Sequence, residues 1–200
     1  MAVFDPPVVI AAPARTPTAV LFTPVVTEPI PDSVFTQYGD VDYNTLAASA
    51  NITLPGGVIK TEPRLNAGGQ CDKTDLLNWG DGITRTAPCG NHFPIIHITG
   101  DVTLNGVQGQ GILLIDGDLN VQGSYEFFGV TIVRGRLKTA GGGSTEAHFW
   151  GTVMAQNVDI ELQNLSGKAT LNYSKCAIVD ALRMTGVTAP LRSRGWVQLF

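Results

Sequence analysis

GILLIDGDLNVQG at 111–123 and GVTIVRGRLKTAG at 129–141 follow one pattern. Laid one above the other without a gap, they match Gly117 with Gly135 and Leu119 with Leu137, and the aliphatic residues ahead of the glycine agree in type. Upstream, PIIHITGDVTLNG at 94–106 fits the same frame, with Gly100 on Gly117, Asp101 on Asp118 and Val102 on Leu119. Downstream, GTVMAQNVDIEL at 151–162 fits with one residue shifted and places Asn157 where the others have glycine. A frame repeated at least four times at a spacing of about 20 residues marks stacked repeats rather than a single closed domain.

Each unit reads as a short aliphatic strand, a glycine corner and a second alternating strand. The alternation of Ile112, Leu114, Leu119 and Val121, and of Val158, Ile160 and Leu162, predicts strands with one buried face. The corner is expected to need positive φ, which glycine tolerates and asparagine tolerates next best. Stacking then aligns Val102, Leu119, Leu137 and Val158 in one interior column. Each such side chain contributes about 1.5–3 kcal/mol when buried. The expected fold is mostly β: a right-handed parallel β-helix of about four to five rungs with short capping helices. A β-sandwich of short strands is the alternative, although sandwiches rarely repeat a frame this closely.

The rest of the chain divides around that coil. Residues 1–38 are Pro-rich (FDPP, AAPARTP, FTPVVTEPIPD) and are expected to form an extended arm. Residues 39–92 hold a capping helix and a cysteine-clipped loop, and residues 93–200 the rungs, a C-terminal helix and a returning strand. Asp42 can cap a helix over 43–50 that turns Leu46 and Ala47 inward and closes the first open end. Ile52–Ile59 reads as a strand with a Pro-Gly-Gly turn. Ser174 can cap a second helix over 175–184 that ends at Gly186.

Two hundred residues with 23 glycines, 12 prolines and few charges suit a single turn-rich β domain with an arm. The net charge of −4 and the lack of a broad basic face argue against nucleic acid as a partner. No apolar stretch is long enough to span a bilayer, since Val8–Val26 is interrupted by Pro13, Arg15, Pro17 and Pro24. Any signal or anchor is therefore expected outside this sequence. Cys71 and Cys89 flank a polar Gly/Pro-rich loop, which in an exported protein suits a disulfide worth about 3 kcal/mol; two free thiols are the alternative. Cys176, beside apolar residues, reads as a small buried hydrophobe. Zinc is not expected, because there is no CxxC pair and His92, His97 and His148 are scattered.

Several blocks resemble a known family. NWGDG at 78–82, PCGNHFPIIHITGDVTL at 88–104, GQGILLIDGDLNVQG at 109–123, FFGVTIVRGRLKT at 127–139, GTVMAQN at 151–157, YSKCAI at 173–178 and RSRGWVQLF at 192–200 resemble the extracytoplasmic part of PilX-like pilus assembly proteins. These are minor-pilin-like proteins of bacterial type IV pilus or type II secretion systems. The resemblance covers about residues 38–200, and GILLIDGDL followed by YSKCAI is its most specific part. It implies an envelope or surface role, with pilus or envelope proteins as partners. Such proteins begin with an anchoring hydrophobic helix, which this sequence lacks, so the membrane would be reached only through a segment outside it.

Candidate chemistry is sparse. Asp116 and Asp118 flank Gly117, and Asp101 falls one unit below Asp118. Acidic ladders on β-helices can carry catalytic carboxylates or calcium. Here the next unit places Arg134 and Arg136 at those positions, which predicts surface ion pairs instead. Asp72, Asp75 and Asp81 in the cysteine loop can bind calcium or a ligand, or simply supply turn hydrogen bonds. Tyr125, Phe127, Phe128, Phe149 and Trp150 suggest stacking within the core; Trp79, Trp150 and Tyr125 are the candidates for a sugar-stacking surface. GGGS at 141–144 lacks the GK[ST] ending of a phosphate loop, and no GxSxG elbow occurs. The sequence thus predicts a non-enzymatic extracytoplasmic domain with no cofactor other than a possible calcium ion. A carbohydrate-active or carbohydrate-binding β-helix, with surface glycans as ligands, is the second reading. A self-polymerising β-helical scaffold, which would need uncapped ends, is the third.

Overall fold

A computed structural model describes residues 37–38, 41–106, 108–139, 146–158 and 168–187. The expected arm up to residue 36 and the expected returning strand at 192–200 lie outside these residues. The described elements are β1 (Gln37–Tyr38), β2 (Val41–Asp42), α1 (Tyr43–Ala48), β3 (Ile52–Leu54), β4 (Gly57–Ile59), β5 (Ile95–Ile98), β6 (Val102–Leu104), β7 (Gln108–Ile115), β8 (Leu119–Val121), β9 (Glu126–Thr139), β10 (Glu146–Val158), β11 (Lys168–Tyr173) and α2 (Lys175–Met184). β1 and β2 form a small antiparallel pair. The other nine strands form one curled, all-parallel sheet, a half-barrel. An all-parallel sheet is incompatible with the antiparallel sandwich alternative.

The sheet path β3-β5-β7-β9-β8-β6-β4 shows how the curl arises. The first part of β9 pairs with β7 and its last part with β8, so one strand turns the corner that the other units make with two strands. β10 follows β9 along most of its length, and β11 follows the start of β10. Successive units lie in parallel register. Val102 pairs with Leu119, Leu119 with Leu137 and Leu137 with Val158 along the backbone. Val102, Leu119 and Leu137 are buried in the concave core with Ile98, Leu113, Ile115 and Phe127, as the alternation requires. The Val158 side chain lies outside the described residues.

Five features differ from the sequence reading, the last of them the exposure of Cys176. First, Ile52–Ile59 is a full unit of the sheet: β3 pairs with β5 and β4 with β6. The repeat therefore starts before Phe93, and the cysteine loop is an insertion after its first member. Second, Asn157 pairs with Arg136 rather than occupying a glycine position, because a bulge falls between Ala155 and Asn157. Third, the corner glycines Gly100, Gly117 and Gly135 do not have positive φ. At Gly117 a Cβ would collide with the Asp101 carboxylate and backbone, and at Gly135 with the Asp118 carboxylate and the Gly117 backbone. At Gly117 and Gly135 close stacking, not conformation, selects glycine, whereas a Cβ at Gly100 would meet only ordinary contacts. Positive φ occurs instead at Gly111, Gly129 and Gly151, which stack on one another within the long strands.

Fourth, the helices cover the outer face of the sheet and not its ends. Tyr43 and Leu46 of α1 and Ala181 of α2 pack on Ile95, Ile112, Leu114, Val130 and Ile132, whose side chains point away from the concave core. Every residue of β7 is buried because the helices cover its outward Ile112 and Leu114 and the cysteine loop covers its outward Gln108 and Gln110, whereas alternation alone predicts one buried face. The caps themselves follow expectation. Asp42 accepts from Thr45 N at 2.6 Å and Ser174 from Ala177 N at 3.3 Å, and Gly186 follows α2 with φ of +72°. Cys176, expected to be buried, is exposed near the start of α2, where Ala177 and Ala181 occupy the inward positions.

Candidate functional site

Three groups of polar or aromatic residues stand out on the sheet and its docked loop. The first is the Gly-Asp corner. Asp101 Oδ1 accepts the Asp118 backbone N–H and Asp118 Oδ1 accepts the Arg136 backbone N–H, both at 2.8 Å. Each carboxylate sits beneath the glycine of the next unit and fastens that unit's backbone. Lys138 Nζ is an ion partner of Asp118 at 3.0 Å, and Arg136 acts on the same carboxylate both through its main-chain N–H bond and through its charge. Those hydrogen bonds, led by the Arg136 N–H, hold the Asp118 carboxyl below its ordinary pKa.

Asp116 points to a different neighbourhood. Its Oδ1 accepts from the Tyr43 hydroxyl at 2.9 Å, and its Oδ2 lies 3.0 Å from His97 Nε2. Arg134 Nη1 is 3.9 Å from Oδ1, close to the expected pairing, and its guanidinium lies 5.2 Å from the centre of the Tyr43 ring. Both carboxylate oxygens are engaged, and the chemistry they perform is to fasten α1 onto the sheet. No sequence signal joins Tyr43 and His97 to Asp116; only the fold does so.

The second group is the loop closed by the Cys71–Cys89 disulfide. Its acids each close a turn. Asp72 accepts from the Thr74 hydroxyl and N–H, Asp75 from Leu77 N and Asp81 from Thr84 N. The Thr74 bonds, that of the hydroxyl foremost, lower the Asp72 pKa. Among the described residues no group of three or more His, Cys, Asp or Glu side chains is placed to hold a metal ion. The loop is docked firmly. The fully buried Gln110 amide donates to the carbonyls of Cys89, Gly90 and His92 at 3.2, 3.1 and 2.9 Å. Trp79 is buried in the concave core, and its Nε1 donates to Leu76 O at 3.1 Å.

The third group is aromatic, and alternation splits it in two. Tyr125, Phe127 and Phe149 point inward and are buried. Burial pushes the Tyr125 phenol well above its ordinary pKa. Trp79 and Tyr125 therefore offer no ring face to a sugar, contrary to the sequence reading, because both fill the interior. Trp150 does lie on the outer side and is half-buried. Its ring is within 6° of parallel to that of Phe128, with centroids 6.2 Å apart, and within 23° of that of His148, at 6.1 Å.

The Cys71–Cys89 disulfide suits an oxidising compartment, and no helix among the described residues is long and apolar enough to cross a membrane. Comparison with known proteins adds no relative: no family model, curated protein or solved structure matches this chain.

Proposed function

We propose that this chain is a non-catalytic interaction domain displayed outside the bacterial cytoplasm, in the periplasm, on the cell surface or on a pilus. Its units continue as the rungs of a right-handed parallel β-helix, a rigid post whose job is presentation. What supports this reading best is the disulfide-closed loop held against the stacked sheet. Asp72, Asp75 and Asp81 are used in its turns, and Gln110 ties its backbone to β7. A loop built this way keeps its outward residues in one arrangement without a bound partner, which lowers the ordering cost of association. The acids Asp101, Asp116 and Asp118 serve the backbone or α1. The resemblance to PilX-like proteins makes pilus or envelope proteins the proposed partners.

Deletion of the gene in its native host tests this. Surface piliation or adhesion should fall, and the wild-type gene should restore it while a Cys71→Ser/Cys89→Ser gene restores it less. Normal piliation and adhesion in the deletion strain would overturn the pilus reading. Turnover of a polysaccharide that Asp116→Asn abolishes would overturn the non-catalytic one and favour a carbohydrate-active protein.

A further inference from the structure

The outer side of the sheet carries one aromatic surface that the docked loop does not fully cover. In β7, the outward Gln108 and Gln110 are buried by the loop: Gln108 Oε1 accepts Ile83 N at 2.9 Å, and Gln110 holds three loop carbonyls. One strand further, the Phe128 ring is packed against Gly82 so closely that a Cβ there would collide with it. Beyond that the cover thins. Register places Glu126 and Phe128 beside His148 and Trp150, and these beside Thr170 and Asn172. The result is a grid of two columns and three strands. Along a column neighbours are about 4.8 Å apart, and across it about 7 Å.

We propose that this grid is a binding shelf for a neutral oligosaccharide, with the disulfide loop as its side wall. The proposal rests on reading the chain as an interaction domain and names the ligand class that domain takes. Phe128, Trp150 and His148 place three nearly parallel, half-exposed rings in the middle of the grid, and aromatic rings are what the apolar face of a pyranose packs on. The Glu126, Thr170 and Asn172 side chains at its margin supply acceptors and donors for hydroxyls. A few polar groups around an apolar floor is the usual composition of a small-ligand site. The six residues include no Lys or Arg and one Glu, so neither a phosphate backbone nor an acidic polysaccharide is matched by charge. The half-burial of Phe128, His148 and Trp150 fits a shallow shelf that grips a chain from one side.

The test is isothermal titration of the full chain with cellohexaose, maltohexaose and chitohexaose, alongside intrinsic tryptophan fluorescence. At least one should bind saturably. Trp150→Ala should weaken it about 10-fold or more, while Trp150→Phe, which keeps a ring, should stay within about 3-fold. Asn172 belongs to neither core cluster, so Asn172→Ala should weaken binding with little change in the melting temperature, which keeps the test valid if Trp150→Ala fails to fold. No binding of any of the three sugars by folded wild-type protein overturns the proposal. So does binding that Trp150→Phe, Trp150→Ala and Asn172→Ala all leave unchanged, or a grid whose protection from solvent reflects dimerisation by sedimentation. Piliation is scored separately: no sugar binding by the wild-type protein, with piliation or adhesion falling on deletion of the gene, sinks the shelf alone, and sugar binding without any piliation or adhesion phenotype sinks the pilus reading alone.

Discussion

The stacked units and the cysteine loop hold their shapes by opposite means. In the units, Ile98, Leu104, Leu113, Leu119 and Val133 are almost wholly buried, and the backbone is satisfied by the neighbouring strand. No unit could keep that conformation by itself, since its partners lie about 17 or 18 residues away along the chain. The loop is organised locally. Just ahead of Cys71, Asn66 Oδ1 accepts from Gly68 N and Gln70 N, and within the loop the three aspartates close turns within two or three residues. A disulfide spanning 18 residues and the buried Trp79 then fix the loop as a whole. Damage to the sheet should therefore spread, whereas damage to the loop should stay where it is made.

Leu119→Asp is the strongest test of spreading. Leu119 is fully buried between Val102 and Leu137, and no cation is among the core residues around it. An unpaired carboxylate there costs several kcal/mol, on the order of a small domain's whole stability. Loss of the cooperative melting transition by circular dichroism is expected. A variant that melts cooperatively near the wild-type temperature would mean that the units do not share one core.

Gly129→Ala ranks next and distinguishes the two glycine columns. Gly129 has φ of +143°, and a Cβ would strike the Gly111 carbonyl and press on Ala181 of α2. Strained backbone of this kind costs about 1–3 kcal/mol before the clash is added. Gly186→Ala also has positive φ, but a Cβ there meets nothing within 4 Å, so only the backbone cost applies. Chemical denaturation should rank Gly129→Ala well below Gly186→Ala in stability. Equal losses would show that crowding in the Gly111–Gly129–Gly151 stack has no energetic weight.

These glycines also show what was legible in the sequence. The matches of Val102, Leu119 and Leu137, and of Gly117 with Gly135, are readable because the two intervals, 17 and 18 residues, are nearly equal, and they point to the parallel register. The first unit was hidden by two changes. Leu54 and Gly57 are separated by one residue fewer than Ile98 and Val102, and the cysteine loop stands between the units. The reason for glycine at a corner was not readable either, since positive φ and a crowding neighbour select the same residue. The two helices are placed correctly along the chain, but their position in space depends on outward residues such as Ile112, Leu114 and Ile132; the alternation puts Ile112 and Leu114 on one buried face with Leu119 and Val121, whereas in the fold they lie beneath the helices on the opposite face. In the loop, acidic residues that spell a metal site and acidic residues that close turns look alike until their partners are seen. Trp79 and Trp150 were equivalent as candidates; only the fold separates an interior ring from an outer one.

The double variant Cys71→Ser/Cys89→Ser addresses the loop. Removing a cross-link of this length is expected to cost about 3 kcal/mol of global stability. The local signature is more telling. In hydrogen exchange, amides of the loop such as Asp72, Asn78 and Asp81 should lose protection, while those of β7 and β9 lose only what the global change imposes. Equal loss of protection in both regions would mean that the loop and the stack form one cooperative unit, and the contrast between them would fall.

The smallest effect concerns acid, and it too falls in the loop region. His92 is nearly buried, and its Nε2 has no hydrogen-bond partner among the described residues. Desolvation lowers its pKa from the ordinary 6.5; a bond with the Asn78 backbone opposes that shift but is weaker. The unfolded chain then binds a proton at higher pH than the folded one does. Stability contributed by neutral His92 is complete above the ordinary value of 6.5 and declines as pH falls from there through the folded pKa. Below the folded pKa the loss levels off. His92→Gln removes the titrating group, so its melting temperature should drop less than that of the wild type between about pH 7.5 and pH 5. Carboxylates such as Asp118, whose pKa is lowered, act further down, because their stabilisation is lost only as pH falls below the ordinary 3.8. A wild-type protein whose loop amides lose protection at mild acid while β7 does not would place the acid response on the loop side of the boundary. The same loss in His92→Gln would remove His92 as its source.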